Sequence, residues 1–269
     1  IVGGGPSGLL LSNLLQLLEI DCVVLEKHTK DYVLSRIRAG VLEQGSVKLL
    51  KKAGVHHRLI KEGFSHKGIF LSSRNSGFRI DFKSLVDKQV TVYGQTEVTA
   101  DLYQKNEKSN GKLFNSAKNV MPHDFRSSNP FVSFEHDGLE KIIYCDFIVG
   151  CDGFHGICRQ TIKKKEIKTF ERTYPFGWLG VLSETPPVND ELIYANHKSG
   201  FALASMRNKN LSRYYIQAPI QDKLSDWSDD RFWKELRKKL PFDLSSSLII
   251  GPSIEKSIAP LRSFVAEPM

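Results

Sequence analysis

Residues 1–8 read I-V-G-G-G-P-S-G, and Gly3, Gly5 and Gly8 fall on a G-x-G-x-x-G spacing. In such a loop the first glycine permits a tight turn. The second lets the backbone approach a pyrophosphate, and the third lets helix and strand pack closely. The helix that follows presents unpaired N–H groups and a partial positive charge to an anion. Only Ile1 and Val2 precede the loop, so the chain is expected to begin inside its own first strand. Residues 6–19 read as a helix, and D-C-V-V-L-E at 21–26 reads as a buried strand. Strand, glycine loop, helix and strand make most of a βαβ unit, which implies parallel strands and a right-handed crossover. Glu26 closes the second strand. A carboxylate there accepts hydrogen bonds from ribose hydroxyls and repels a 2′-phosphate, so the loop is expected to hold an adenosine diphosphate group of the FAD or NAD kind.

The composition bounds the alternatives. The chain has 269 residues, 41% hydrophobic and 25% charged, which suits one large domain or two interleaved ones. No apolar run approaches the roughly 18 residues of a membrane span. The opening L-L-L-S-N-L-L-Q-L-L is broken by Ser12, Asn13 and Gln16. No signal peptide is recognisable, and a cytoplasmic setting is expected. Cys22, Cys145, Cys151 and Cys158 lack the pairing of a zinc site and read as buried free thiols; no metal is expected. The net charge of +8 comes from scattered residues, apart from Lys163–Lys165. It points to a solvated face and to anionic cofactors rather than to nucleic acid.

The texture alternates along the chain. A helix is expected over 40–53, stopping at Gly54. Short runs rich in β-branched and aromatic residues follow: G-I-F-L-S-S, F-R-I-D-F and V-T-V-Y. T-E-V-T-A-D-L-Y-Q-K is helical again, and F-V-S-F-E and K-I-I-Y-C-D-F-I-V-G are strands. From 173 to 220 the chain is strand-rich. Ser228 caps a helix over D-D-R-F-W-K-E-L-R-K-K-L, with carboxylates in its first turn, lysines in its last and Pro241 as a stop. Two domains are expected: an α/β nucleotide-binding domain at 1–68 and 94–172, and a β-rich one at 69–93 and 173–262, with 263–269 starting a return to the first.

A second chemistry-bearing stretch is C-D-F-I-V-G-C-D-G-F-H-G, residues 145–156. A hydrophobic strand runs into Asp152-Gly153, a position where open α/β sheets bind ligands; a plain Asp-Gly turn is the alternative.

Together the two patterns resemble the flavoprotein aromatic hydroxylases. Longer blocks narrow the likeness: D-Y-V-L-S-R-I-R-A-G-V-L-E-Q-G, T-V-Y-G-Q-T-E-V-T, R-T-Y-P-F-G-W-L-G, E-L-I-Y-A-N-H and E-K-S-I-A-P-L-R-S-F-V look like the 4-hydroxybenzoate 3-monooxygenase family. The resemblance runs through nearly the whole chain. It implies an α/β, Rossmann-like FAD-binding domain with a parallel sheet, interleaved with a β-rich substrate domain. It also implies a continuation past Met269, with a second flavin motif and a helical region, and a homodimer at full length.

The same resemblance implies an activity. NADPH reduces FAD, O2 yields a flavin C4a-hydroperoxide, and 4-hydroxybenzoate becomes 3,4-dihydroxybenzoate. Arg207 matches the cation for the substrate carboxylate, with Ser205 and Tyr215 as additional donors, and Met206 is carried over as a further substrate-binding residue. Tyr194 matches the partner of the phenol oxygen, and His66 the far end of its proton relay, near solvent. Arg213 matches a residue that influences the flavin's swing between buried and exposed positions. Trp178 and Leu203 match apolar pocket positions. Besides Gly3, Gly5, Gly8 and Glu26, the FAD contacts carried over are Ser7, the segment Arg36, Ile37, Arg38, Ala39, Gly40 and Val41, then Gln95, Asp152 and Gly153. NADPH contacts carried over are Lys27, His28, Tyr32, Arg38, His155 and Arg262. Lys27 stands where the family commonly has arginine, and lysine offers only a point charge. A related hydroxylase of another phenolic acid and a non-catalytic fragment are the alternatives.

Overall fold

The computed structural model describes residues 1–36, 40–73 and 76–268. Ile37, Arg38 and Ala39, expected to meet the cofactor, lie outside the described residues. The chain divides into two compact units, 1–41 with 45–63 and 93–168, and 42–44 with 64–92 and 169–269.

The first unit is built on parallel strands. Val2 bridges both Leu25 and Gly150 in parallel, and Val23–Leu25 pairs in parallel with Lys112–Phe114. Helix α1 (Pro6–Gln16) starts at Gly5 with Pro6 in its first turn. Proline suits that turn because its missing N–H would have no intrahelical partner. The helix is three residues shorter than expected; Leu17 caps it and Glu19 turns the chain at φ +57°. Helix α2 (Gln95–Lys108) lies along α1. Buried polar groups join the two: Asn13 Nδ2 donates to the Leu102 carbonyl at 3.3 Å, and Asn106 Nδ2 to Ser12 Oγ at 3.1 Å. Leu9, Leu102 and Tyr103 are fully buried.

Residues 118–123, 131–136 and 139–144 form a three-stranded antiparallel sheet. Val132 and Phe134 of its middle strand pack on Leu25 and Ala117. The run K-I-I-Y-C-D-F-I-V-G is not one strand: its start belongs to this sheet, which ends at Tyr144, and Gly150 alone bridges to Val2. The expected helix over 40–53 shortens to Gln44–Lys52 because Val41 and Leu42 are extended.

The second unit carries a seven-stranded sheet. Its strands are β1 (Gly68–Ser73), β2 (Ser76–Asp81), β3 (Lys168–Ser183), β4 (Leu192–His197), β5 (Gly200–Asn208), β6 (Leu211–Pro219) and β7 (Ser253–Glu267). The spatial order is β7-β3-β6-β5-β4-β1-β2, and β4 and β1 run parallel. Alternation sorts the side chains. Leu179, Val181, Ile193, Ala195, Ala202, Ala204, Tyr214 and Ile216 form one buried face, closed by Phe232, Trp233 and Leu236 of helix α3 (Asp229–Lys239). The small alanines leave room for the bulky rings of α3. Ser228 caps α3 as expected, its Oγ accepting the Arg231 N–H at 3.2 Å. Strand β7 was not expected. It lies at the sheet edge, where Pro260 is tolerated because its missing donor breaks no central ladder. β7 runs on to Glu267, so 263–267 stay in this sheet instead of returning to the first unit.

Candidate functional site: a nucleotide cradle and a polar sheet face

The glycine loop is shaped as its three positions predict. Gly3 sits at φ +108°, and a Cβ there would lie 2.4 Å from the Cys151 carbonyl oxygen. A Cβ on Gly8 would lie 2.0 Å from the Gly3 carbonyl oxygen. At Gly5 a Cβ would meet nothing within 4 Å. The tight glycines therefore hold the turn, and Gly5 faces open space. The first turn of α1 has no side-chain cap and no acidic residue, so its N–H groups and dipole are left for an anion. Ser7 is exposed in that turn.

Glu26 ties loop to strand. It is buried; Oε2 accepts the Gly4 N–H at 2.7 Å and Oε1 the His28 N–H at 2.9 Å. Each carboxylate oxygen keeps a second lone pair for a ribose hydroxyl. Two cavities meet at this residue. A larger one, about 620 Å³, is lined by Gly3, Glu26, Lys27, His28, Asp152 and His155, with Gln160 and the apolar Val120 and Met121. A smaller one, about 270 Å³, is lined by Gly5, Pro6, Glu26, Tyr32, Arg36 and Gln95. The dimensions and donors fit an adenosine on one side of Glu26 and a pyrophosphate with its ribityl extension on the other. Four expected FAD residues (Gly5, Glu26, Arg36 and Gln95) thus line one space.

Asp152 also has a local task. Its Oδ2 accepts the Cys158 N–H at 2.9 Å, and a Cβ on Gly156 would collide with its carboxyl. Gly153 supplies φ +72°. Burial and the neighbouring Asp152 push the Cys158 thiol up to about 12. Burial also raises Cys145 and Cys151. All four cysteines are free and only partly buried, short of the full burial expected. Gly40 is packed so closely that a Cβ would lie 2.7 Å from Gly94 Cα; Val41 is exposed. Of the residues expected to meet NADPH, Lys27, His28 and His155 share the larger cavity. Tyr32 stacks on His28, ring centres 4.2 Å apart. Arg262 belongs to the second unit and pairs with Glu171 at 2.9 Å.

In the second unit, alternation puts Trp178, Tyr194, Leu203, Ser205, Arg213 and Tyr215 on the sheet face turned away from α3, and Arg207, at a register shift in β5, joins them beside Tyr215. Leu203 pairs with both Tyr194 and Tyr215, and Ser205 with Arg213. Trp178 and Tyr194 each meet Phe201, at 5.4 and 5.7 Å between ring centres. Ser205 Oγ donates to the Met206 carbonyl at 3.2 Å. Met206, expected among the substrate-binding residues, has its side chain buried on the parity of Ala202 and Ala204, so only its backbone reaches this face. Burial lowers the pKa of the Arg207 guanidinium, and Tyr215 beside it opposes that shift.

His66 is also corrected. It is not near solvent: it is 3% exposed, and its Nε2 is buried with no hydrogen-bond partner among the described residues. Burial lowers its pKa, while Glu191 and Asp190 act in the opposite sense. It lies five positions before Leu71, the partner of Tyr194, up to about 16 Å along the chain. A proton path between them needs intermediaries.

Sequence reasoning missed Gly180, Glu255 and Ser257. Arg213 on β6 reaches across β3 to β7: Nη1 lies 3.1 Å from Glu255 Oε1, and Nη2 donates to Ser257 Oγ at 3.3 Å. The path is open because Gly180 of β3 lacks a side chain; a Cβ there would lie 2.9 Å from Arg213 Nη2 and 2.8 Å from the Tyr215 ring. A glycine inside the apolar run W-L-G-V-L was the available signal, since glycine in a strand interior marks close approach.

The whole chain, residues 1–269, matches the FAD binding domain family. It is 54% identical over 270 residues to p-hydroxybenzoate hydroxylase of Acinetobacter baylyi, covering 100% of this chain and 67% of that one. The chain belongs to the FAD-dependent aromatic hydroxylases.

Solved structures of low identity share the hydroxylase fold. The Pseudomonas aeruginosa PqsL complex with 2-aminobenzoylacetate superposes with TM-score 0.81 at 14% identity, over 97% of this chain and 72% of that one. p-Nitrophenol 4-monooxygenase PnpA of Pseudomonas putida gives 0.79 at 15% identity, over 99% and 68%. FAD is the hydroxylase cofactor, and the loop, Glu26 and the two cavities are shaped for the adenosine and pyrophosphate of such a group. Among the described residues, no cluster of three or more His, Cys, Asp or Glu is placed to hold a metal, and no helix is long and apolar enough to cross a membrane.

Proposed function

We propose that this chain is the FAD- and substrate-binding part of an NADPH-dependent monooxygenase that converts 4-hydroxybenzoate to 3,4-dihydroxybenzoate. The overall balance is 4-hydroxybenzoate, NADPH, a proton and O2 to 3,4-dihydroxybenzoate, NADP⁺ and water. The observation that carries the reading is the shared sheet face of Tyr194, Ser205, Arg207 and Tyr215. Its donors suit a carboxylate at one end of an aromatic ring and a phenol at the other, and the A. baylyi relative is named for that substrate.

Bound FAD supplies the redox and oxygen-activating chemistry. The protein's part is to bind, orient and deprotonate. Arg207 binds the carboxylate through two N–H groups, a geometry a guanidinium matches, and Ser205 and Tyr215 add hydroxyl donors. Trp178, Phe201 and Leu203 cover the ring and keep water away. Tyr194 accepts or relays the phenol proton, which makes the ring carbon beside the phenol oxygen more nucleophilic. His66 takes the proton on through intervening groups. Gly5 and the N–H groups of α1 hold the pyrophosphate, and Glu26 the ribose. Lys27, His28, Tyr32 and His155 of the first unit are the cations and rings offered to NADPH.

The test is NADPH oxidation by FAD-loaded protein with and without 4-hydroxybenzoate, assaying 3,4-dihydroxybenzoate, beside the A. baylyi relative. Stimulation with product is expected. No stimulation and no bound 4-hydroxybenzoate, with the relative active, would overturn the reading.

A further inference from the structure

Two charged groups act on Arg207 from the same face: a second guanidinium, Arg213, and one carboxylate, Glu255. Arg207 has no ion-pair partner among the described residues, whereas Arg213 is paired with Glu255. Arg213 is 5% exposed. The pair is poorly served by hydrogen bonds: Glu255 Oε2 and Arg213 Nε are buried without a hydrogen-bond partner among the described residues. A pair kept for scaffolding would have those atoms satisfied, because half-satisfied buried polar groups cost stability. What the arrangement secures is charge. Arg213 and Glu255 cancel, and Arg207 is left with a single uncompensated positive charge. The placement is specific: Gly180 clears the way over β3, the Arg213 guanidinium carbon lies 5.1 Å from the Tyr215 ring centre, and Tyr215 stands beside Arg207.

We propose that Glu255 is a specificity-determining residue. By neutralising Arg213 it sets the net charge of the cluster Arg207, Arg213 and Glu255 at +1 and so matches it to a monocarboxylate. This rests on the reading of Arg207 as the carboxylate's cation. Glu255 acts through Arg213 and does not itself touch substrate; it is a positioning and charge-balancing residue.

The test compares two ligands of nearly equal shape, anionic 4-hydroxybenzoate and neutral 4-hydroxybenzamide, titrated into FAD-loaded protein. The quantity read is the ratio of their dissociation constants. Glu255→Gln keeps size and raises the net charge, and should move the ratio about tenfold toward the anion, the order expected of one nearby charge at an effective dielectric of about 20. Arg213→Gln should move it about tenfold the other way. The double variant restores the charge and should return the ratio close to wild type. A merely structural role would weaken both ligands together and leave the ratio unmoved in every variant, which would overturn the proposal. Should Glu255→Gln not fold, an unchanged ratio in Arg213→Gln overturns it alone. Wild-type protein that binds neither ligand would overturn the 4-hydroxybenzoate reading itself, and this proposal with it.

Discussion

Glu26 Oε2 accepts the N–H of Gly4 at 2.7 Å. This bond fastens the glycine loop to the end of the strand that follows α1, and it places the carboxylate at the junction of two cavities. A hydrogen bond to a charged group contributes about 1.5–3 kcal/mol. Glu26→Gln should therefore lower both the melting temperature and FAD retention, read by thermal denaturation and by flavin fluorescence. An unchanged FAD affinity would remove Glu26 from the cofactor site.

The three loop glycines separate folding from binding. Gly8→Ala puts a Cβ 2.0 Å from the Gly3 carbonyl oxygen, an overpacking that costs about 3 kcal/mol or more, and the protein should express poorly. Gly5→Ala meets open space and has an ordinary backbone conformation, φ −75°. It should melt normally yet bind FAD about tenfold more weakly, or about 1.4 kcal/mol. Circular dichroism melts beside flavin titration decide the matter, and equal FAD affinity would mean no pyrophosphate lies there.

Arg207→Lys keeps a positive charge but loses the planar fork. Losing one of two hydrogen bonds to a charged group costs about 1.5–3 kcal/mol. 4-Hydroxybenzoate should bind at least about tenfold more weakly at the lower bound of that range, with little change for phenol, which has no carboxylate. Parallel titrations of the two ligands check this; equal losses would place the carboxylate elsewhere.

His66 gives a pH signature. Its folded-state pKa lies below the ordinary value of 6.5 because burial disfavours the cation. Below pH 6.5 the unfolded chain takes up a proton that the folded chain resists, so stability falls as pH falls through that value toward the folded pKa. Above pH 6.5 the residue contributes no slope. His66→Gln should flatten the melting-temperature profile between pH 5 and 6.5 and leave the region above pH 7 parallel to wild type. Identical slopes in the acid limb would show that His66 titrates normally.

Much of the first unit was legible because its signals are local. Gly3, Gly5, Gly8, Pro6 and Glu26 lie within 26 residues, and loop geometry needs only the backbone rules those residue types obey. Ser228 and its helix were legible for the same reason. The strand-rich texture of 173–220 was legible too, although it took the assembled sheet to show that Met206 is buried on the parity of Ala202 and Ala204.

What tertiary structure alone decided was burial and long-range pairing. His66 looks like a surface histidine in F-S-H-K-G, yet the sheet around it covers the ring. Strand β7 carries a proline and little alternation, and it becomes a strand only because the neighbouring β3 offers an edge. Glu255 and Arg213 are 42 positions apart, and nothing local predicts that they meet across a strand whose glycine leaves the gap. The residue types and their spacing named the cofactor cradle; which charges face which, and which are cancelled, depended on strand order, because electrostatic partners are chosen by distance in space and not along the chain.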